Sequence, residues 1–117
     1  DGLDEISTAA PTHMMGIVHG AIEHEVVQPE QFGVRRAKLE DLQGGSAEDN
    51  ARIIVETLKG ARGPKRDIVL VNAAAALRAA GVAQSFEDGM ERAAAAIDSG
   101  AARGKLREFV EFTQAAA

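Results

Sequence analysis

The chain has 117 residues, of which 45% are hydrophobic and 26% charged, and its formal net charge is −5; this bounds it to one small folded domain and excludes general disorder. The acidic balance, with thirteen Lys and Arg scattered along the sequence, gives no electrostatic reason to approach a phosphate backbone, so no nucleic-acid partner is expected. With no cysteine, disulfides and thiolate chemistry are excluded.

The first segment, Asp1-Gly2-Leu3-Asp4-Glu5-Ile6-Ser7, is an acidic, glycine-containing turn that runs into an apolar residue. No initiator Met precedes it, so it reads as an interior motif and a larger parent chain is expected. Asp4 and Glu5 are adjacent hard-oxygen donors of the kind that hold Mg²⁺ beside substrate phosphates. Spacing alone does not separate that role from a pair of solvated acids.

From Thr12 to Val27, β-branched and apolar residues flank His19-Gly20, a spacing that predicts a hairpin closed by a tight primed turn. Pairing Val18 with Ala21 places His13, Met15 and Ile17 on one face with Ile22, His24 and Val26, and leaves Glu23 and Glu25 on the other. In this register His13 and His24 are diagonal neighbours, near enough to share a transition metal, with no third ligand evident. The plainer reading is a partly exposed polar contact, with His19 in the turn.

Pro29 can open a short helical turn anchored by Phe32, and the stretch from Gln28 to Gly45 is expected to be mainly connecting structure. Ser46, with Asp49 three residues on, has the spacing of a capping box for a helix from Ala47 to about Lys59, with Ala51, Ile54, Val55 and Leu58 as its apolar stripe and Gly60 past its end. Gly44-Gly45-Ser46 could offer backbone N–H groups to an anion, but the remainder of a phosphate-binding loop is absent and a plain cap explains it. The next helix, about Lys65 to Ala80, is apolar on nearly every face from Ile68 to Leu77, so it is predicted to be the central buried element. Asn72 within it needs hydrogen-bond partners, and a structural role is expected. Ser85 caps a helix through Asp98 with Met90, Ala94 and Ile97 inward, and a last helix carries Leu106, Phe109, Val110 and Thr113 before the tail Ala115-Ala116-Ala117, which is expected to fray.

Residues 1–27 are thus predicted to be strands and hairpin and residues 28–117 mostly helical. The longest apolar run, Ile68 to Val71 and then Ala73 to Leu77, is too short to span a bilayer, and no signal-type segment opens the chain. A soluble cytoplasmic protein without a membrane partner is expected.

Together, DGLDEIS at 1–7, APT at 10–12, PEQFGV at 29–34, LQGGSAEDNARII at 42–54, LKGARGPKRDIVLVNAAAAL at 58–77 and IDSGAARGKL at 97–106 give a chain that resembles the C-terminal part of the anthranilate phosphoribosyltransferases. The resemblance implies an α/β fold, the C-terminal part of a phosphoribosyltransferase α/β domain, seen here as a β-hairpin followed by about four helices. It implies transfer of phosphoribosyl from phosphoribosyl pyrophosphate to anthranilate in tryptophan biosynthesis, with release of pyrophosphate and Mg²⁺ as cofactor. The family's Gly-x-Asp-Glu motif falls on Gly2, Asp4 and Glu5, which makes Asp4 and Glu5 the metal ligands; it assigns no acid–base catalytic residue here. Ser46 stands where relatives often have Asp.

The family's Gly-Thr-Gly-Gly-Asp loop, its Lys-His-Gly-Asn segment, its anthranilate-contacting arginine, its N-terminal helical domain and the first half of the α/β domain would all lie upstream of Asp1. On this resemblance the chain alone is expected to be inactive, its partners being the missing N-terminal half of the same protein and, at full length, a second copy in a homodimer. The alternatives are a non-catalytic nucleic-acid-binding relative of the same fold and a related nucleoside phosphorylase.

Overall fold

In the computed structural model, which describes residues 1–116, β1 (Thr12–Val18) and β2 (Ala21–Val27) pair antiparallel. Val18 faces Ala21 and Thr12 faces Val27, as the register predicts. At the tip His19 has φ 50° and Gly20 φ 82°, the two positive angles that a primed turn requires and that glycine adopts without steric cost. The apolar face of this hairpin points outward: Met15, Ile17 and Ile22 are 78%, 81% and 76% exposed. The opposite face, with Met14, Glu23 and Glu25, lies toward the helices.

A 3₁₀ turn at Pro29–Phe32 follows, with Pro29 at its first position as predicted. One short helix, α1 (Leu39–Leu42), interrupts the connecting stretch where none is predicted; Asp41 Oδ2 accepts the Lys38 N–H at 3.2 Å and so caps it locally. Then come α2 (Ala47–Leu58), α3 (Pro64–Ala79), α4 (Phe86–Asp98) and α5 (Ala101–Ala115). Ala115 is helical, and Ala117 of the expected fraying tail lies outside the described residues. Among the described residues no helix is long and apolar enough to cross a membrane.

The caps follow from local chemistry. Ser46 Oγ accepts the Asp49 N–H at 3.2 Å and Asp49 Oδ2 accepts the Ser46 N–H at 3.2 Å, so the shorter aspartate completes the box. At α4 Ser85 Oγ accepts the Asp88 N–H at 3.1 Å, and Asp88 Oδ2 accepts the Gln84 N–H at 2.9 Å. The apolar stripe predicted for α2 needs correction: Ala51 and Ile54 are exposed and the buried residue is Thr57. Only the end of α2 closes on its neighbours, so Ile54 and Leu58 line an open groove of about 410 Å³ with Ile68 and Val69.

Two apolar clusters meet on α3. Ile6, Val27, Phe32 and Val71 form one and Leu70, Ala93 and Ile97 the other, with Met90 packed against both. Burying each larger side chain contributes roughly 1.5–3 kcal/mol. Burial of α3 on nearly every face is not found: Leu70, Val71 and Ala74 are buried, whereas Val69 and Ala76 are exposed, because the elements packed on it cover one side. There Gly89 of α4 lets the two helices approach so closely that a Cβ would lie 2.8 Å from Ala74 O and 2.9 Å from Ala74 Cα. Phe86 of α4 packs on Phe32 with ring centroids 4.7 Å apart, and the Arg78 guanidinium lies 4.5 Å above the Phe86 ring while pairing with Glu25 of β2 at 3.3 Å. No described side chain of α5 is buried.

Gly89→Ala should lower the unfolding free energy, measured by urea titration, by about 1 kcal/mol or more, because backbone atoms of α3 obstruct the methyl group and outweigh the gain in helix propensity. Gly104→Ala on α5, with open space around it, should instead stabilise by roughly 0.5–1 kcal/mol. A second expectation concerns acid. The Ser46 hydroxyl and then its N–H hold the Asp49 carboxyl below its ordinary range, and the Gln84 N–H followed by Arg92 does the same for Asp88. A depressed folded-state value means that this stabilisation is present above the ordinary carboxylate range and is lost as pH falls through the folded value. Urea midpoints measured from neutral pH down through about pH 4 and below should fall less steeply in Asp49→Asn and Asp88→Asn than in the parent chain.

Candidate functional site

Two local devices shape the acidic opening segment. Gly2 has φ 89°, and the Asp1 carboxylate accepts the Leu3 N–H at 3.2 Å and the Ser7 hydroxyl. Ser7 Oγ in turn accepts the Ala9 and Ala10 N–H groups at 2.9 and 3.2 Å, and the Ser7 N–H donates to Thr12 Oγ1 at 3.0 Å. Ser7 and Thr8 are buried, and Thr8 C=O accepts the Ala37 N–H at 2.8 Å. The segment is therefore fixed at the point where it enters the fold.

Asn72 of α3 supplies the long-range anchor. Its Oδ1 accepts the Ile6 N–H at 2.9 Å and its Nδ2 donates to Ile6 C=O and Ile68 C=O, both at 3.0 Å. The polar residue that the sequence places on an apolar helix thus finds structural partners, and one of them belongs to the acidic segment. Asp4 and Glu5 stand immediately before Ile6 and are exposed. Among the described residues neither takes part in an ion pair, and no group of three His, Cys, Asp or Glu converges as a metal cage.

Two uncommitted adjacent carboxylates on an anchored, open segment fit Mg²⁺, which is held by one or two carboxylates together with waters and substrate phosphates rather than by a complete protein shell. The remaining candidates divide. His13 Nδ1 and His24 Nε2 are 3.1 Å apart, so the predicted diagonal contact exists. The Gly44-Gly45-Ser46 stretch is a cap: the Gly45 N–H donates to Asn50 Oδ1 at 2.9 Å and the Ser46 N–H to Asp49, which leaves these donors engaged within the chain.

Sequence reasoning missed Arg66, which is 6% exposed and pairs with Asp98 at 2.9 Å across α3 and α4. Its spacing of four from Leu70 and eight from Ala74 is the available signal that it faces inward. Beside it burial pushes the Asp67 carboxyl up, against the opposing pull of Arg66. Arg36 was missed as well; it reaches Glu30 at 3.0 Å, Gln28 at 2.9 Å and Ala9 C=O at 3.3 Å.

Residues 1–103 match the profile of the glycosyl transferase family, a/b domain. The chain is 51% identical over 114 residues to an anthranilate phosphoribosyltransferase of Desulfatibacillum aliphaticivorans, covering 97% of this chain and 34% of that protein. It is 48% identical to that of Syntrophotalea carbinolica, covering 97% and 32%. The chain therefore spans about a third of the length of the curated relatives it matches. Among solved structures, the anthranilate phosphoribosyltransferase of Thermus thermophilus superimposes with TM-score 0.83 at 33% identity, covering 97% of this chain and 34% of that one. A variant of the Saccharomyces cerevisiae enzyme with Mg bound does so with TM-score 0.83 at 26% identity, covering 94% and 32%.

Asn72→Leu removes the anchor and leaves the Ile6 polar groups unmet. Amide exchange at Ile6 should accelerate in this variant, with a loss of stability of about 1–3 kcal/mol; protection unchanged from the parent chain would show that the segment is held by other means.

Proposed function

The chain belongs to the glycosyl transferase family, a/b domain, and from that premise we propose that it forms the C-terminal, metal-holding part of an anthranilate phosphoribosyltransferase. The observation that carries this reading is the pair Asp4 and Glu5, exposed and held in place through the bond of Asn72 to Ile6. The activity is transfer of phosphoribosyl from phosphoribosyl pyrophosphate to the nitrogen of anthranilate, with pyrophosphate leaving. This is a cytoplasmic step of tryptophan biosynthesis, carried out by the full-length protein as a homodimer.

Departure of pyrophosphate builds negative charge on its oxygens while the sugar carbon becomes electron-poor. Mg²⁺, when bound, supplies charge neutralisation at the phosphates. Asp4 and Glu5 contribute the two carboxylates that would hold it, and the anchored Ile6 backbone beside them narrows the space those carboxylates sample, which favours electrostatic preorganisation. Neither carboxylate acts as a proton carrier in this scheme. Leu3 and Ile6 flank the pair, and Ile6 enters the core, so the position of the carboxylates is tied to folding of the domain. The acceptor pocket and the pyrophosphate loop belong to the remaining two-thirds of such an enzyme. The names of the relatives, rather than the chain's own side chains, support the choice of anthranilate.

The test is a chimera in which these 117 residues replace the matching C-terminal third of the Desulfatibacillum aliphaticivorans enzyme, assayed by loss of anthranilate fluorescence with phosphoribosyl pyrophosphate and Mg²⁺. Activity is expected. Asp4→Ala with Glu5→Ala should lower kcat/KM by on the order of 10²-fold or more while circular dichroism stays unchanged. A folded chimera without activity, or full activity in the double variant, would overturn the proposal.

A further inference from the structure

The outward face of the hairpin carries a second cluster of metal-binding side chains, chemically unlike the first. His13 Nδ1 and His24 Nε2 are 3.1 Å apart, the ring centroids are 5.2 Å apart and the ring planes differ by 9°. Most of the centroid separation is taken up by the line joining the two nitrogens, so the rings meet edge to edge in nearly one plane. A neutral imidazole has one N–H and one lone pair, so one of the facing nitrogens donates to the other. The same separation is that of two ligands on one metal ion at about 2.0–2.1 Å with an angle of about 100° between them.

We propose that His13 and His24 form a surface site for a late first-row divalent cation, copper(II) ahead of zinc(II), which clips the two strands together. To receive it, the donor ring moves its N–H to its other nitrogen and both rings turn so that the facing lone pairs converge on the ion. No proton is lost from the neutral pair. Both histidines are exposed, so the remaining coordination positions open to water. Met15 stands directly across from His24 in the register, on the same face as both rings. Imidazole nitrogens suit late first-row ions, and copper(II) heads the order of affinities for such nitrogen sites. The hard oxygens of Asp4 and Glu5 select Mg²⁺, so the two sites differ in chemistry as well as in place. His19, in the turn, lies outside this pair.

Titration of the 117-residue chain with copper(II), followed by electron paramagnetic resonance and calorimetry, tests the site. One equivalent should bind with the signature of two nitrogen ligands, and the thermal midpoint should rise with copper. His13→Gln and His24→Gln should each weaken uptake by about tenfold or more and abolish the thermal shift, while His19→Gln changes neither. Circular dichroism of the variants, whose substituted side chains are exposed, checks that they remain folded. Uptake at undiminished affinity in the His13→Gln, His24→Gln double variant would place the copper elsewhere, for instance on the terminal amine, and overturn the proposal. Equal loss in His19→Gln, or no uptake by the parent chain at molar excess, would do the same.

Discussion

The Asn72 carboxamide meets both polar groups of the Ile6 backbone, accepting its N–H at 2.9 Å and donating to its C=O at 3.0 Å. A single side chain here does what a neighbouring strand does elsewhere, satisfying one residue's donor and acceptor together. Val71 is wholly buried in the same cluster as Ile6, so the hydrophobic contact and the polar one act on the same short stretch of chain. The location of Asp4 and Glu5 depends on this joint. Two acids at a free end would sample many positions and lose entropy on meeting a cation; two acids attached to a fastened residue sample fewer.

What was legible in the sequence was what is decided locally. The His19-Gly20 turn sets the strand register, Ser46 and Ser85 cap their helices, and Pro29 opens its turn, because each needs only residues a few positions away. The Asn72 amide was legible as a demand, since a polar group on so apolar a helix must be met, whereas its partner at a separation of 66 residues was not. Arg66 and Asp98 escaped for the same reason, each looking ordinary on its own helix. The rotated face of α2 was misread because Ala51, Ile54, Val55 and Leu58 form a regular stripe, and periodicity shows that a face is apolar without showing what covers it. For the acidic pair, spacing showed two carboxylates and only the resemblance gave them a task.

The hairpin turns its apolar face away from the helices and its glutamates toward them, the reverse of an amphipathic sheet on its core. Arg78 makes this tolerable by pairing with Glu25. The Cα radius of gyration, 15.3 Å, exceeds the roughly 13.4 Å of a closed domain of this length, and Phe109 and Phe112 on α5 are exposed. An open outline with exposed aromatic side chains on α5 agrees with a chain that spans about a third of its relatives.

The stack of Arg78, Phe86 and Phe32, where hairpin, 3₁₀ turn, α3 and α4 converge, has an optical consequence. The chain contains neither Trp nor Tyr, so it has almost no absorbance at the usual protein wavelength and its unfolding is silent to intrinsic fluorescence. An indole introduced in place of Phe86 would be the sole fluorophore, seated under a guanidinium and against Phe32, and its emission would report the junction of all four elements without background. The same transparency leaves the spectral window of an anthranilate-like fluorophore clear of any contribution from this part of the protein.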